Sequence, residues 1–152
     1  KFNRDYDPSS IALAALYHEA SESGGVGDIP SPLKYYNPEL TKQIKKIENE
    51  VEHSMVYEGL PDYLQSAMAP LVIQVKVDKQ TKAIVKAADD LAAFHYSLSE
   101  VNGGNREFTD AAKLLGERVN KHCQQWEEVN EYYISQFPAC MQTLDELSRP
   151  DN

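Results

Sequence analysis

Apolar positions along this chain recur every third or fourth residue and almost never alternate, which is the signature of helices. Asp7-Pro8 opens the first one, with an Asp suited to cap a helix and a Pro suited to its first turn. Ile11, Leu13, Ala14, Ala15 and Leu16 follow, and the helix is expected to run to about Glu22. Ser23 to Pro32 is a loop, broken by Gly24, Gly25, Gly27, Pro30 and Pro32. Asn37-Pro38 starts a second helix whose Leu40, Ile44, Ile47, Val51 and Met55 form one stripe, and Gly59 ends it. Leu60-Pro61 begins a short helix to about Met68. The β-branched run at 70–77 reads as a helix end and connector, because nothing else in the chain alternates to pair with a strand. A long helix then leads to a Gly103-Gly104 stop. Another is expected from about Phe108 to Phe137, broken by Pro138, and a short last one from Cys140 to Leu147. The pattern predicts an all-α fold of about six helices. With no internal repeat, low-complexity segment or linker, residues 1–152 are expected to form one domain.

Charge narrows the range of partners. The net charge is −9 and no Lys/Arg cluster interrupts it, so polymeric nucleic acid is excluded as a partner. A small anionic substrate remains open if a metal or a local cation neutralises it. No apolar run approaches the roughly 20 residues that span a bilayer, so no membrane partner is expected. Cys123 and Cys140 have no metal-ligand spacing and read as reduced thiols of a cytoplasmic protein. The chain opens with Lys1 rather than Met, and it is expected to be part of a longer parent.

The chemistry concentrates where the first helix stops burying carbon. His18 and Glu22 lie four residues apart and share a helical face, with Glu19 about 100° round the axis. Imidazole nitrogen with carboxylate oxygen suits a borderline divalent cation: Mn, Fe, Co, Ni or Zn. One helix cannot complete such a shell. The best distal candidate is Asp89 in "AIVKAADDLAAFHY", a carboxylate among alanines that is costly to bury unless something positive meets it. The competing reading makes Asp89 and Asp90 the solvent face of an amphipathic helix. Among the other histidines, His53 reads as surface, His95 as a core residue satisfied by a hydrogen bond, and His122 as part of a polar stretch.

His18-Glu19 followed by "ASE", then "GDIPSPLKYYN", then "KAAD" at 86–89 and "GNREF" at 104–108, resembles the HD-domain phosphohydrolases. Within that superfamily the likeness is to the bacterial and phage 5′-deoxynucleotidases, and it runs from about Phe2 to Leu147. The resemblance implies an HD-type helical fold and metal-assisted removal of the 5′-phosphate from deoxynucleoside 5′-monophosphates. It implies His18, Glu19 and Asp89 as metal ligands and Glu22 as the acid/base. Asp28, Ile29, Pro30 and Ser31 would form the loop that meets the nucleotide. A homodimer is also expected from it.

This chain departs from the family pattern in two ways. The family carries a further metal-binding His and a phosphate-binding Arg upstream, and no His lies among the 17 residues before His18. The first helices are therefore expected to be missing here. That would leave the Ile11, Leu13 and Leu16 face to be covered by upstream residues or by self-association. The second departure is Glu19, which stands where the family has Asp. Its extra methylene moves the carboxylate by about 1.5 Å, while metal bonds tolerate about ±0.2 Å. A working, a weakened and an inactive site all remain open at this point. The alternative functions are a dNTP triphosphohydrolase of the same superfamily and an HD-like nucleotide-binding or interaction module that does not turn over.

Overall fold

The computed structural model describes residues 5–148, with the side chains at 31, 32 and 144 left out. Helices make up all the regular structure among the described residues. They are α1 (Pro8–Tyr17), α2 (Ser31–Lys34), α3 (Pro38–Tyr57), α4 (Asp62–Val72), α5 (Lys79–Asn102), α6 (Thr109–Gln125), α7 (Glu127–Ser135), α8 (Phe137–Cys140) and α9 (Leu144–Leu147). The all-α expectation holds, and the segments of nine residues or more are α1, α3, α4, α5, α6 and α7. Contacts divide the described residues into two compact units. One is Tyr6–Val85; the other comprises residues 86–148 with Asp5.

In the first unit α3 is the organiser, packing against α2, α4 and a wide π-type turn at Glu22–Val26, while α1 packs on α4. Asn37 caps α3 by accepting from the Leu40 N–H at 2.8 Å, and Pro38 opens its first turn. The core is Val56, Ala69, Val72 and Ile73, with Tyr17, Ala20 and Met68 against it. The expected stripe on α3 is only partly the buried one: Ile44 and Val56 are buried, Ile47 is exposed, and the acid Glu52 is buried beside them. The run at 70–77 is the connector its sequence suggested. α4 continues to Val72, Ile73 is fully buried, and a 3₁₀ turn follows at Gln74–Lys76.

The second unit gathers Phe94, Val119 and Phe137 into one core, with Leu91, Leu98, Leu115, Cys123, Tyr133 and Met141 around them. Phe94 and Phe137 stack with centroids 5.5 Å apart. That core explains why the helix expected from Phe108 to Phe137 breaks. On one straight helix, Val119 and Phe137 would lie about 27 Å apart, at 1.5 Å per residue. Trp126 instead takes extended backbone, closing α6 and opening α7, so both residues reach the same core. Glu127 and Glu128 in the first turn of α7 complement its N-terminus. Pro138 does not simply end a helix; it sits in the first turn of α8, and the stretch expected as one last helix is the two short pieces α8 and α9. The Gly103-Gly104 stop holds: the Gly103 N–H donates to the Ser99 carbonyl at 2.9 Å, and Gly104 takes a positive φ of 92°.

Candidate metal centre

The first half of the candidate site is made where α1 ends. Asp7 caps its N-terminus, accepting from the N–H groups of Ser9 at 3.2 Å and Ser10 at 3.0 Å. The helix expected to reach Glu22 is interrupted by a turn at His18 and Glu19, and helical backbone resumes at Ala20 and Ser21 before the wide turn at Glu22–Val26. The cause is His18 itself. Its Nδ1–H donates to the Ala15 carbonyl at 2.7 Å, and beyond it a tightened backbone bond runs from the Glu22 N–H to the Glu19 carbonyl, 3.1 Å. His18 and Glu22 are therefore not simply stacked on one regular α-helical face.

A carbonyl can only accept, so Nδ1 carries a proton, and in the neutral ring it is Nε2 that keeps the lone pair. That Nε2 is buried and meets no hydrogen-bond partner among the described residues. Asn49 Oδ1 and Trp126 Nε1 share this condition, but His18 supplies the one imidazole nitrogen of the three. The Oε1 of Glu19 lies 3.6 Å from Nε2. Two donors each about 2.1 Å from one tetrahedral ion are about 3.4 Å apart, so this pair fits a divalent transition metal. Glu19 is exposed and its longer side chain spans the gap. A cleft of about 500 Å³ opens here, lined by Leu16, Tyr17, His18, Glu19, Ser23 and Met55 among others.

Glu22 and the loop after it share this unit. Glu22 is half-buried, and burial pushes its carboxyl above the usual range; Glu19 and Asp28 push it further, with Lys34 pulling the other way. The turn at Glu22–Val26 is pressed onto α3. A Cβ on Gly24 would collide with Met55 Sδ and with Val51 Cγ1, so this close approach requires glycine. Asp28 and Pro30 are exposed and Ile29 is half-buried. Ser31 opens α2, and its side chain lies outside the described part. The loop is anchored at its far end. The Pro30 carbonyl accepts from the N–H groups of Leu33 (2.8 Å) and Lys34 (3.0 Å), and Lys34 Nζ meets Glu48 Oε1 at 2.6 Å. The Thr41 hydroxyl donates to the Lys34 carbonyl at 2.8 Å.

Behind the end of α1 stands Glu52, a buried acid that the sequence pattern did not single out. Its Oε2 accepts the Gln74 N–H at 2.8 Å, and the Gln74 amide donates at 3.4 Å to the Tyr17 carbonyl. Burial raises the Glu52 carboxyl; the Gln74 N–H works in the opposite direction without reversing it. Helix α3 thus holds both walls: Glu48 fixes the loop and Glu52 fixes the end of α1.

Asp89 belongs to the second unit, on α5. It is half-buried, and Lys86 Nζ donates to its Oδ2 at 2.7 Å. Its neighbour Asp90 is not on a solvent face. Asp90 is buried, with His122 Nε2 on Oδ2 at 2.9 Å, Lys86 Nζ 3.0 Å from Oδ1, and Arg118 Nη1 3.7 Å from Oδ1. Burial alone would raise Asp90; His122, Lys86 and Arg118 outweigh it and hold the carboxyl below the usual range. His122, read from sequence as part of a polar stretch, is a structural partner. The usable signal was Arg118 and His122 four apart on one helix, facing an acid pair. His95 Nε2 pairs with the Cys140 carbonyl at 2.8 Å, and the ring of His53 sits 5.7 Å from that of Tyr57.

Comparison with known proteins places the chain in a family. The model for the YfbR-like 5′-deoxynucleotidases matches residues 1–140. A 5′-deoxynucleotidase of Vibrio parahaemolyticus is 38% identical over 149 residues, covering 97% of this chain and 74% of the relative. Those of Erwinia tasmaniensis and Vibrio cholerae are also 38% identical, over 98% and 97% of this chain and 73% and 74% of their own lengths. The chain belongs to the YfbR-like 5′-deoxynucleotidase family.

Proposed function

We propose that this chain removes the 5′-phosphate from deoxynucleoside 5′-monophosphates, with a divalent transition metal held by His18, Glu19 and Asp89. The observation that carries the reading is the buried, partnerless Nε2 of His18 with the Glu19 carboxylate 3.6 Å away, in a chain 38% identical to relatives named 5′-deoxynucleotidase. When bound, the cation supplies Lewis-acid polarisation of a phosphoryl oxygen and lowers the pKa of water. The chain supplies the rest. His18 offers Nε2 because the Ala15 carbonyl fixes its proton on Nδ1. Glu22 takes a proton from the attacking water and returns one to O5′ as the P–O5′ bond breaks; its raised carboxyl suits that exchange. Asp28, Ile29, Pro30 and Ser31 meet the nucleoside from a loop held by Lys34 and Glu48.

Among the described residues no helix is long and apolar enough to cross a membrane. The two free cysteines fit a reducing compartment, and we assign the enzyme to the cytoplasm on that basis. We further assign a homodimer, supported by the exposed Leu13 and Leu16 on α1.

The test is phosphate release from dAMP and AMP, with Mn²⁺ or Co²⁺ and with chelator. Metal-dependent release favouring dAMP is expected, falling by about a hundredfold or more in Glu22→Ala. Tripolyphosphate from dATP with no action on dAMP would move the chain to the triphosphohydrolases. Nucleotide binding without turnover would make it a binding module.

A further inference from the structure

Lys86 precedes Asp89 and Asp90 by one helical turn, so a single Nζ reaches both carboxylates. The two acids are held differently. The side chain of Asp90 is only 4% exposed and is gripped from α6 by His122 as well as by Lys86, with Arg118 close by. The side chain of Asp89 is 32% exposed, and its cation is Lys86. A half-exposed lysine on a half-buried surface acid would add little order by itself. Here its other partner is a buried carboxylate, whose position the charges around it fix. An ammonium has three donors, enough to serve both acids at once. With Lys86 on Oδ2 of Asp89 at 2.7 Å, Oδ1 is the oxygen left to ligate.

We propose that Asp90 is a positioning residue: held by His122 and Arg118, it fixes Lys86, and Lys86 in turn presets the Asp89 carboxylate for the metal. This rests on Asp89 being a ligand, as assigned above. Partners of a ligating carboxylate typically contribute 10–100-fold to metal affinity, and residues that act through one another are non-additive.

The experiment is calorimetric titration of Mn²⁺ into the purified chain and its variants, each first checked for its melting temperature. Lys86→Met is expected to weaken Mn²⁺ by about 10–100-fold, and Lys86→Arg to recover most of that. Asp90→Asn should weaken binding in the wild-type background and add nothing in the Lys86→Met background. Unchanged or tighter binding in Lys86→Met overturns the proposal. So does an Asp90→Asn loss of equal size in both backgrounds, which is what a merely structural acid would give. Asp89→Asn separates the two levels. If it abolishes binding while Lys86→Met does nothing, the positioning role alone falls. If it leaves binding intact, or if the wild-type chain takes up no Mn²⁺, the ligand assignment and this proposal fall together. Lys86→Met keeps the buried Asp90 with His122 and Arg118, so the question stays answerable even if Asp90→Asn does not fold.

Discussion

Glu52 and Asp90 are the buried carboxylates of the two units, each 3% exposed, and each is linked to a candidate ligand. Glu52 reaches the end of α1, beside His18, through Gln74. Asp90 reaches Asp89 through Lys86. Their surroundings push them in opposite directions. Burial, with Glu48 nearby, leaves Glu52 raised because the Gln74 backbone N–H and the charge of Lys82 do not offset it. Asp90 ends up lowered because His122, Lys86 and Arg118 more than offset the same burial cost. The same contrast holds for the candidate ligands. His18 keeps a partnerless nitrogen, whereas Asp89 already carries a cation. One unit offers an open donor and the other a donor whose geometry is preset, so substitutions should separate metal affinity from fold stability.

The largest effect is expected at His18. His18→Ala should cost on the order of a hundredfold or more in Mn²⁺ affinity, beyond the range for outer partners of a ligand. Its effect on melting temperature should be small, since the change removes a buried unsatisfied nitrogen together with one capping bond to Ala15. A large drop in melting temperature with unchanged metal affinity would make His18 a structural histidine and erase the contrast. Asp90→Asn comes next and inverts the pattern. Its cations keep the carboxyl charged, so the expected cost is about 2 kcal/mol, or roughly 4–8 °C in a domain of this size. With a lowered folded pKa, that stabilisation is fully present above the ordinary value of 3.8 and is lost as pH falls through the folded one. Melting curves of wild type and variant should therefore converge in acid.

These residues also show what a sequence can reveal. Helix starts with a capping side chain and a proline, Asp7-Pro8 and Asn37-Pro38, were legible because cap chemistry is local. The break at Trp126 was not, because it answers to a core that joins Val119 to Phe137 and involves no glycine or proline. The interruption at His18 and Glu19 was hidden for a similar reason: a histidine that takes a carbonyl of its own helix leaves no mark on the apolar pattern. At the candidate site, His18, Glu19 and Glu22 were legible as a cluster of donors. The supporting Lys34–Glu48 pair and the Glu52–Gln74 bond join residues 14 and 22 positions apart, and no periodicity reports them. The sequence singled out Asp89 as the distal ligand but gave no sign that Asp90 is buried among cations; α6 supplies that distinction.

Lys34→Met tests whether the first unit also uses a charge pair where it needs order. The Lys34–Glu48 pair is half-buried, with 24% and 18% of the side chains exposed, and Glu48 would be left without it. A loss of about 1 kcal/mol is expected. The sharper readout is kinetic. If the pair anchors the loop of Asp28 to Ser31, the KM for dAMP rises several-fold while kcat moves less. Equal loss in both would place Lys34 in the chemistry and not in the loop's support.

The smallest effect, and the one with the most distinctive sign, belongs to Glu52. Its folded pKa is raised, so the folded state holds the proton more tightly than the unfolded chain. Stability is then greatest below the ordinary value of 4.5 and declines as pH rises through the raised one. At neutral pH the chain carries the cost of a buried charge that the Gln74 N–H and the positive charge of Lys82 relieve without offsetting. Glu52→Gln keeps an oxygen to accept the Gln74 N–H and removes that charge. It should raise the melting temperature at pH 7 by roughly 1–2 °C, about half a kcal/mol, and flatten this decline. Asp90→Asn should instead lower the melting temperature at pH 7 and remove the loss of stability in acid. If Glu52→Gln instead lowers the melting temperature at pH 7, the attraction of Lys82 for the ionised carboxylate outweighs its burial. The two buried acids would then be alike, and the contrast between the units would reduce to His18 against Asp89.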